Sequence, residues 1–242
     1  MSGEPRGSTE KPVAISRLAA VRWATVSLYV RPSIPVREYR DESGAVIEYG
    51  TRWGAASPPN DSYSRTSNLD RFEPLHAVAG ALIDHLADTY AVTVTPVAAD
   101  DTGRRHTTIK TLTIAPRSVD AAPLLLRLTD FPAVEVAAGI THHVVYPDCG
   151  CDACDETWED AAADLETLVL AVAAGTFNEQ ITLPTHWNIA GGKASVHHQL
   201  AAPDGSYRES SEHSVTSTDE LRAAAARLDA RPDRCWQPWT RR

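Results

Sequence analysis

Thr107-Thr-Ile-Lys-Thr-Leu-Thr-Ile-Ala115, Leu124-Leu-Leu-Arg-Leu128 and Val134-Glu-Val-Ala-Ala-Gly-Ile-Thr-His-His-Val-Val145 follow one another along the chain. Each reads as one strand. The β-rich Ala91-Val-Thr-Val-Thr95 comes before them, and Asp100-Asp-Thr-Gly103 turns the chain between the first two. Strands that arrive in adjacent runs with short turns pair antiparallel, because parallel pairing needs a crossover of a dozen residues or so. The pattern predicts an α+β fold with a mainly antiparallel sheet rather than a doubly wound one.

Two helical patterns flank this run. Phe72, Leu75, Val78, Ala79, Leu82, Ile83 and Leu86 recur at i, i+3, i+4 and i+7, which predicts a helix over 72–89. Asp70 and Glu73 are placed as a capping pair, and Pro74 fits only the first turn. Trp158, Ala162, Leu165, Val169 and Val172, with Leu168 beside them, predict a second helix that Gly175 stops. Strands at 181–183, 195–201 and 207–215 follow, with Pro203-Asp-Gly205 as the last hairpin turn. Residues 218–229 predict a short Ala-rich helix capped by Ser217 or Thr218. Two long amphipathic helices plus a short C-terminal one are therefore expected to pack the sheet. Leu18, Val21, Thr25 and Leu28 suggest a further helix before Pro32, and Val46–Trp53 a hairpin followed by a long loop. Residues 1–16 are expected to be a disordered tail and 17–242 a single domain.

Composition narrows the function classes. The chain has 242 residues, 43% of them hydrophobic, and a net charge of −9. An acidic chain with no Lys/Arg run beyond Arg104-Arg105 or Arg241-Arg242 is not expected to bind nucleic acid or an anionic membrane. Met1 to Pro12 has no apolar core of a secretory signal, and Leu168–Ala174 is too short to span a bilayer. The expectation is a cytoplasmic protein. Only three of the 23 basic residues are lysines (Lys11, Lys110, Lys193), a bias that suggests a GC-rich bacterial genome.

Chemistry concentrates in Pro147-Asp-Cys-Gly-Cys-Asp-Ala-Cys-Asp155. Cys151-x-x-Cys154 has the spacing of a zinc knuckle, and Gly150 lets Cys149 add a third sulfur. A strand end lies just upstream, so a histidine is expected as fourth ligand. His142 and His143 would face opposite sides of that strand, so one alone can reach. The ligand set is read as Cys149, Cys151, Cys154 and His143, with zinc as the ion; Cys235 and the neighbouring acids are the alternatives. A redox reading is opposed by Asp148, Asp152, Asp155 and Glu156, whose charge would raise thiol pKa values. Unligated thiols on a surface turn, with Asp155 or Thr157 capping the next helix, are the plain reading.

The remaining candidates are weaker. His142-His143, His197-His198 and His213 would converge if their strands are neighbours, as a second metal or acid–base site; a polar sheet face carrying exposed histidines is the preferred reading. Asn188-Ile-Ala-Gly-Gly-Lys193 lacks the first glycine and the Ser/Thr of a phosphate loop. No Gly-x-Ser-x-Gly elbow is present. Arg65 and Arg71 read as loop anchors bonding carbonyls, or else as an anion site at a helix start.

Asp61-Ser-Tyr-Ser-Arg-Thr-Ser-Asn-Leu-Asp-Arg-Phe-Glu-Pro-Leu-His76, Pro147–Glu156 and Trp236-Gln-Pro-Trp239 together resemble an uncharacterised actinobacterial family that carries a domain of unknown function. The resemblance spans about residues 17–242 and implies one domain and no assigned activity. The functional expectation is a protein without a standard catalytic machine, held by a structural zinc site and binding a partner protein or small ligand. The alternatives are a metal-dependent enzyme using the His/Cys groups, or an immunity-type toxin-binding protein.

Overall fold

The computed structural model describes residues 29–102, 105–183, 194–201, 207–214 and 218–242. The expected tail, the helix near Leu18–Leu28, the Asn188–Lys193 turn and the Pro203–Gly205 turn lie outside these residues.

The chain begins with a two-stranded ribbon, β1 (Tyr39–Arg40) against β2 (Val46–Ile47). Asp41 closes it, its Oδ1 accepting the Ser43 and Ala45 N–H groups. This replaces the hairpin expected over Val46–Trp53. The partner of Val46 lies upstream, and residues 49–56 are turns and bends. A 3-10 turn over Leu69–Phe72 leads into α1 (Pro74–Thr89), with Pro74 in the first turn, where its missing N–H costs nothing. Asp70 and Glu73 make no cap; both face Arg37, at 3.4 and 2.8 Å.

Five strands then form an antiparallel meander: β3 (Val92–Pro96), β4 (Thr108–Pro116), β5 (Leu124–Thr129), β6 (Val134–Ala138) and β7 (His142–Tyr146). The register sets Leu112 beside Leu126 and Ile114 beside Leu124, then Leu124, Leu126 and Leu128 beside Ala138, Val136 and Val134. With a side-chain period of two, these residues line one buried face. The opposite face is polar: Arg127 and Glu135 form a bidentate pair there. Val134–Val145 is thus two strands, not one. Gly139, at φ 67°, turns the chain, and the apolar alternation resumes after the turn and conceals it.

α2 (Trp158–Ala174) is capped by Thr157, whose Oγ1 accepts the Asp160 N–H, and ends at Gly175 in the left-handed region at φ 69°. α1 buries Leu75, Val78, Leu82 and Leu86; α2 buries Ala162, Leu165, Leu168, Val169 and Val172. The helices share one core with the apolar face of the meander. A second antiparallel sheet follows, β8 (Phe177–Thr182), β9 (Ala194–Ala201) and β10 (Tyr207–Ser214), with β9 central. α3 (Thr218–Asp229) adds Leu221 to a small cluster with Ala194 and Val196. The architecture is α+β with antiparallel sheets. Among the described residues, no helix is long and apolar enough to cross a membrane.

Candidate metal centre and an adjoining histidine cleft

The loop between β7 and α2 carries the cysteines. It leaves β7 through a cis Tyr146–Pro147 bond and is held at both ends by Glu156, which accepts the Asp148 and Cys149 N–H groups at 3.1 and 2.9 Å. Its underside docks on residues 52–71. Asp152 N–H donates to Arg65 O, Ala153 N–H to Ser62 O, and the Trp53 indole to Asp152 O. Arg71 is the central anchor: its guanidinium donates to Ser67 O and to Gly150 O and stacks over the Tyr49 and Phe72 rings. Arg71 is thus a loop anchor, one of the two readings open from sequence. Arg65 instead pairs with Asp61 at 3.4 Å. A Cβ on Gly150 would stand 2.5 Å from the tip of the Phe131 ring, which would have to shift to admit a larger residue.

This frame brings Cys149, Cys151 and Cys154 together, with the three Sγ atoms all within 4.8 Å of one another. Such a group can hold a metal ion. Partial burial opposes ionisation of Cys151. The Cys154 N–H, the Cys149 and Cys154 thiols and the Ala153 N–H outweigh it, so its pKa lies below the ordinary value. N–H groups two and three residues ahead, both turned on one sulfur, are what a Cys-x-x-Cys knuckle supplies. Cys154, the exposed member, is pushed up to about 12, first by hydrogen bonding to Cys149 and Cys151 and then by burial.

The acids behave differently from expectation. Asp152 is buried and points away from the sulfurs: Ser67 N–H and Oγ each bond it at 2.7 Å, and Arg52 lies 3.7 Å away. Despite burial, these partners hold its carboxyl below the usual range. Asp155, at φ 53°, accepts the Arg52 N–H. Asp152, Asp155 and Glu156 therefore build the loop through backbone groups.

His143 lies outside the sulfur group. It is the second residue of β7, opposite Ala137, whereas the cluster follows the far end of that strand, about 10 Å further on at 3.3 Å per residue. It also faces the polar side of the sheet, 3.8 Å from Glu135. Cys235 is outside the group too.

The histidines divide as strand parity requires. His142 faces inward and meets His198 of β9, ring centroids 4.5 Å apart, beside Phe177. Burial first, then the charges of His198 and His143, lower His142 to about 4. His197 turns to Ser195 instead. The His213 side chain lies outside the description.

Behind the pair sits Glu179, which sequence reading missed. Its fully buried carboxylate accepts from Ile140 N–H, Thr141 N–H and Oγ1, His142 N–H and the Trp236 indole. Thr141 Oγ1 is also 3.0 Å from His198 Nε2. A glutamate inside a short strand that starts with Phe177 was the available signal.

A cleft of about 370 Å³ opens in front of the two histidines, between β7, α2 and the second sheet. Val144, Tyr146, Leu168, Phe177 and Leu200 form its apolar wall.

The description "family of unknown function", DUF6226, matches residues 35–242, and the chain belongs to that family. No curated protein and no solved structure matches it.

Proposed function

We propose that Cys149, Cys151 and Cys154 hold a zinc ion as a structural clasp, and that the protein works by recognising a partner or small ligand. The observation that carries the clasp is the meeting of three sulfurs on a loop whose backbone is already fixed by Arg71, Asp152 and Glu156. Zn–S bonds of about 2.3 Å in a tetrahedron space sulfurs about 3.8 Å apart. The Cys149 and Cys151 sulfurs stand 3.3 Å apart and all three lie within 4.8 Å, so small adjustments to either side of that spacing suffice. The ion would join the end of β7 to the start of α2 and press the loop onto residues 52–71. Cys154 is exposed, so the fourth position opens toward solvent, where water or a donor from a partner completes the set. Reduced thiols of this kind suit a cytoplasmic setting.

Elemental analysis of the full chain, expressed with zinc supplied, tests this: about one equivalent is expected, and Cys151→Ser should lose it. Wild-type protein with less than about 0.2 equivalents would sink the clasp.

One feature favours a second reading, a metal-dependent enzyme. Catalytic zinc sites combine three protein ligands with an open position. Cobalt-substituted protein tests the open position: its visible bands should shift when cyanide is added, and unchanged bands would exclude the enzyme reading while leaving a clasp closed by a fourth protein donor.

A further inference from the structure

The cleft beside the histidines is not absorbed by the metal reading. We propose that it binds a small organic cation with an apolar body, the cationic head at Glu156 and the body against Phe177, Leu168 and Leu200.

Size and shape come first. About 370 Å³ lies within the range of about 300–1,000 Å³ typical of ligand sites. The wall is aliphatic and aromatic, as such sites usually are. The two ends differ in character. One is closed by the His142 and His198 rings. Toward the other, Asp148, Glu156 and Asp164 line the cleft with Tyr146, and Asp148 and Asp164 both act electrostatically on Glu156 and on Tyr146. Among the described residues the cleft has one lining cation, Arg208, bound to Asp164 at 2.7 Å. Among those residues, three carboxylates against one guanidinium make this end negative.

Charge decides among occupants. An anion would meet the carboxylates. A neutral apolar molecule would gain the wall and nothing from the acidic end. A bare metal ion needs donors that converge, and among the described residues only the three cysteines do so. A head with a delocalised or ammonium charge fits both halves: it neutralises the half-buried Glu156 and sits beside the Tyr146 ring, where a cation is attracted to the π face.

The acidic end touches the metal loop, since Glu156 accepts the Cys149 N–H. The inference does not rest on the metal, however. Zinc content is measured on each variant, and metal-free protein that still selects the cation leaves this proposal standing while the clasp falls.

The test uses the full chain and three matched probes: 2-phenylethylamine, 2-phenylethanol and 3-phenylpropionate. Binding is followed by calorimetry and by the His142 and His198 ring resonances. The amine is expected to bind about tenfold more tightly than either congener and to shift both rings. Glu156→Gln should weaken the amine by about tenfold and leave the alcohol unchanged. Should Glu156→Gln disturb the loop, Asp148→Asn on the exposed rim carries the same test, with a loss of about threefold. Leu200→Trp, which fills the cleft, should abolish binding of all three. Equal affinities, preference for the anion, resonance shifts elsewhere, or wild-type binding by Leu200→Trp would each overturn the proposal.

Discussion

Glu179 shows how much one buried carboxylate organises. Five donors from the β6–β7 turn and the C-terminal segment converge on it. A charge this deep is tolerable because its lone pairs are filled. Removing it leaves those donors buried and unmet. Glu179→Gln, which keeps the shape but turns an NH2 toward them, is expected to cost about 2 kcal/mol, and Glu179→Ala more than about 3 kcal/mol, by urea unfolding. Gly139→Ala should be as damaging. Its φ is 67°, and an added methyl would land on the Glu179 carboxylate.

His142 gives a pH dependence at the same scale. Burial, His198 and His143 lower it from the ordinary 6.5 to about 4, so the folded chain prefers the neutral ring. The unfolded chain takes up its proton first as pH falls. The stability His142 contributes is therefore complete above about pH 6.5 and is lost between there and about pH 4. Burial lowers His76 and His85 as well, with the same sign. His142→Leu should flatten the stability profile in that window, measured by thermal unfolding from pH 4 to 7.5. A profile as steep as that of the unsubstituted protein would exclude the buried neutral ring as its cause.

At the scale of elements, α2 was readable because its local signals agree. The apolar stripe, Thr157 before it and Gly175 after it all specify the same helix, and the structure uses each. Thr157→Ala should cost about 1 kcal/mol through loss of the cap. Gly175→Ala should cost at least about 2 kcal/mol, because φ is 69° and the new methyl would stand 2.5 Å from Pro238 N. Chemical unfolding checks both. The β6–β7 turn was unreadable for the opposite reason. Val136, Ala138, Val144 and Tyr146 keep alternating across it, and one glycine is weak punctuation. The β1–β2 ribbon was missed because two-residue strands carry too few positions to show a period.

At the scale of the whole molecule, stretches distant in sequence close on each other. The Asp61–His76 stretch cradles Pro147–Glu156 through Ser62, Arg65, Ser67 and Arg71. The Trp236–Trp239 stretch straps the rest. Trp236 bonds Glu179, Trp239 bonds Ala122 O and packs edge-on against Tyr90, and backbone bonds run from Gln237 to Asp120 and from Trp239 to Ala173. Loss of each buried tryptophan costs about 3–5 kcal/mol, and the stability of a whole domain is about 5–15 kcal/mol. Deleting residues 235–242 should therefore abolish cooperative unfolding by circular dichroism and expose the chain to limited proteolysis. Retained cooperative melting would show that the strap is dispensable.

The sequence by itself determined the α+β class, the antiparallel runs, the core faces of α1 and α2, and the cysteine loop as the place where metal chemistry is possible. Each of these rests on near neighbours in the chain: a periodicity, a cap, or thiols within six positions. It took the folded arrangement to turn His143 from the sulfurs to Glu135, to set Asp152 and Glu156 on backbone N–H groups, and to bring His142 against His198 above Glu179. Those outcomes depend on which strands pair and in what register. A shift of one residue sends every side chain to the other face, and register is set by the burial of the whole core.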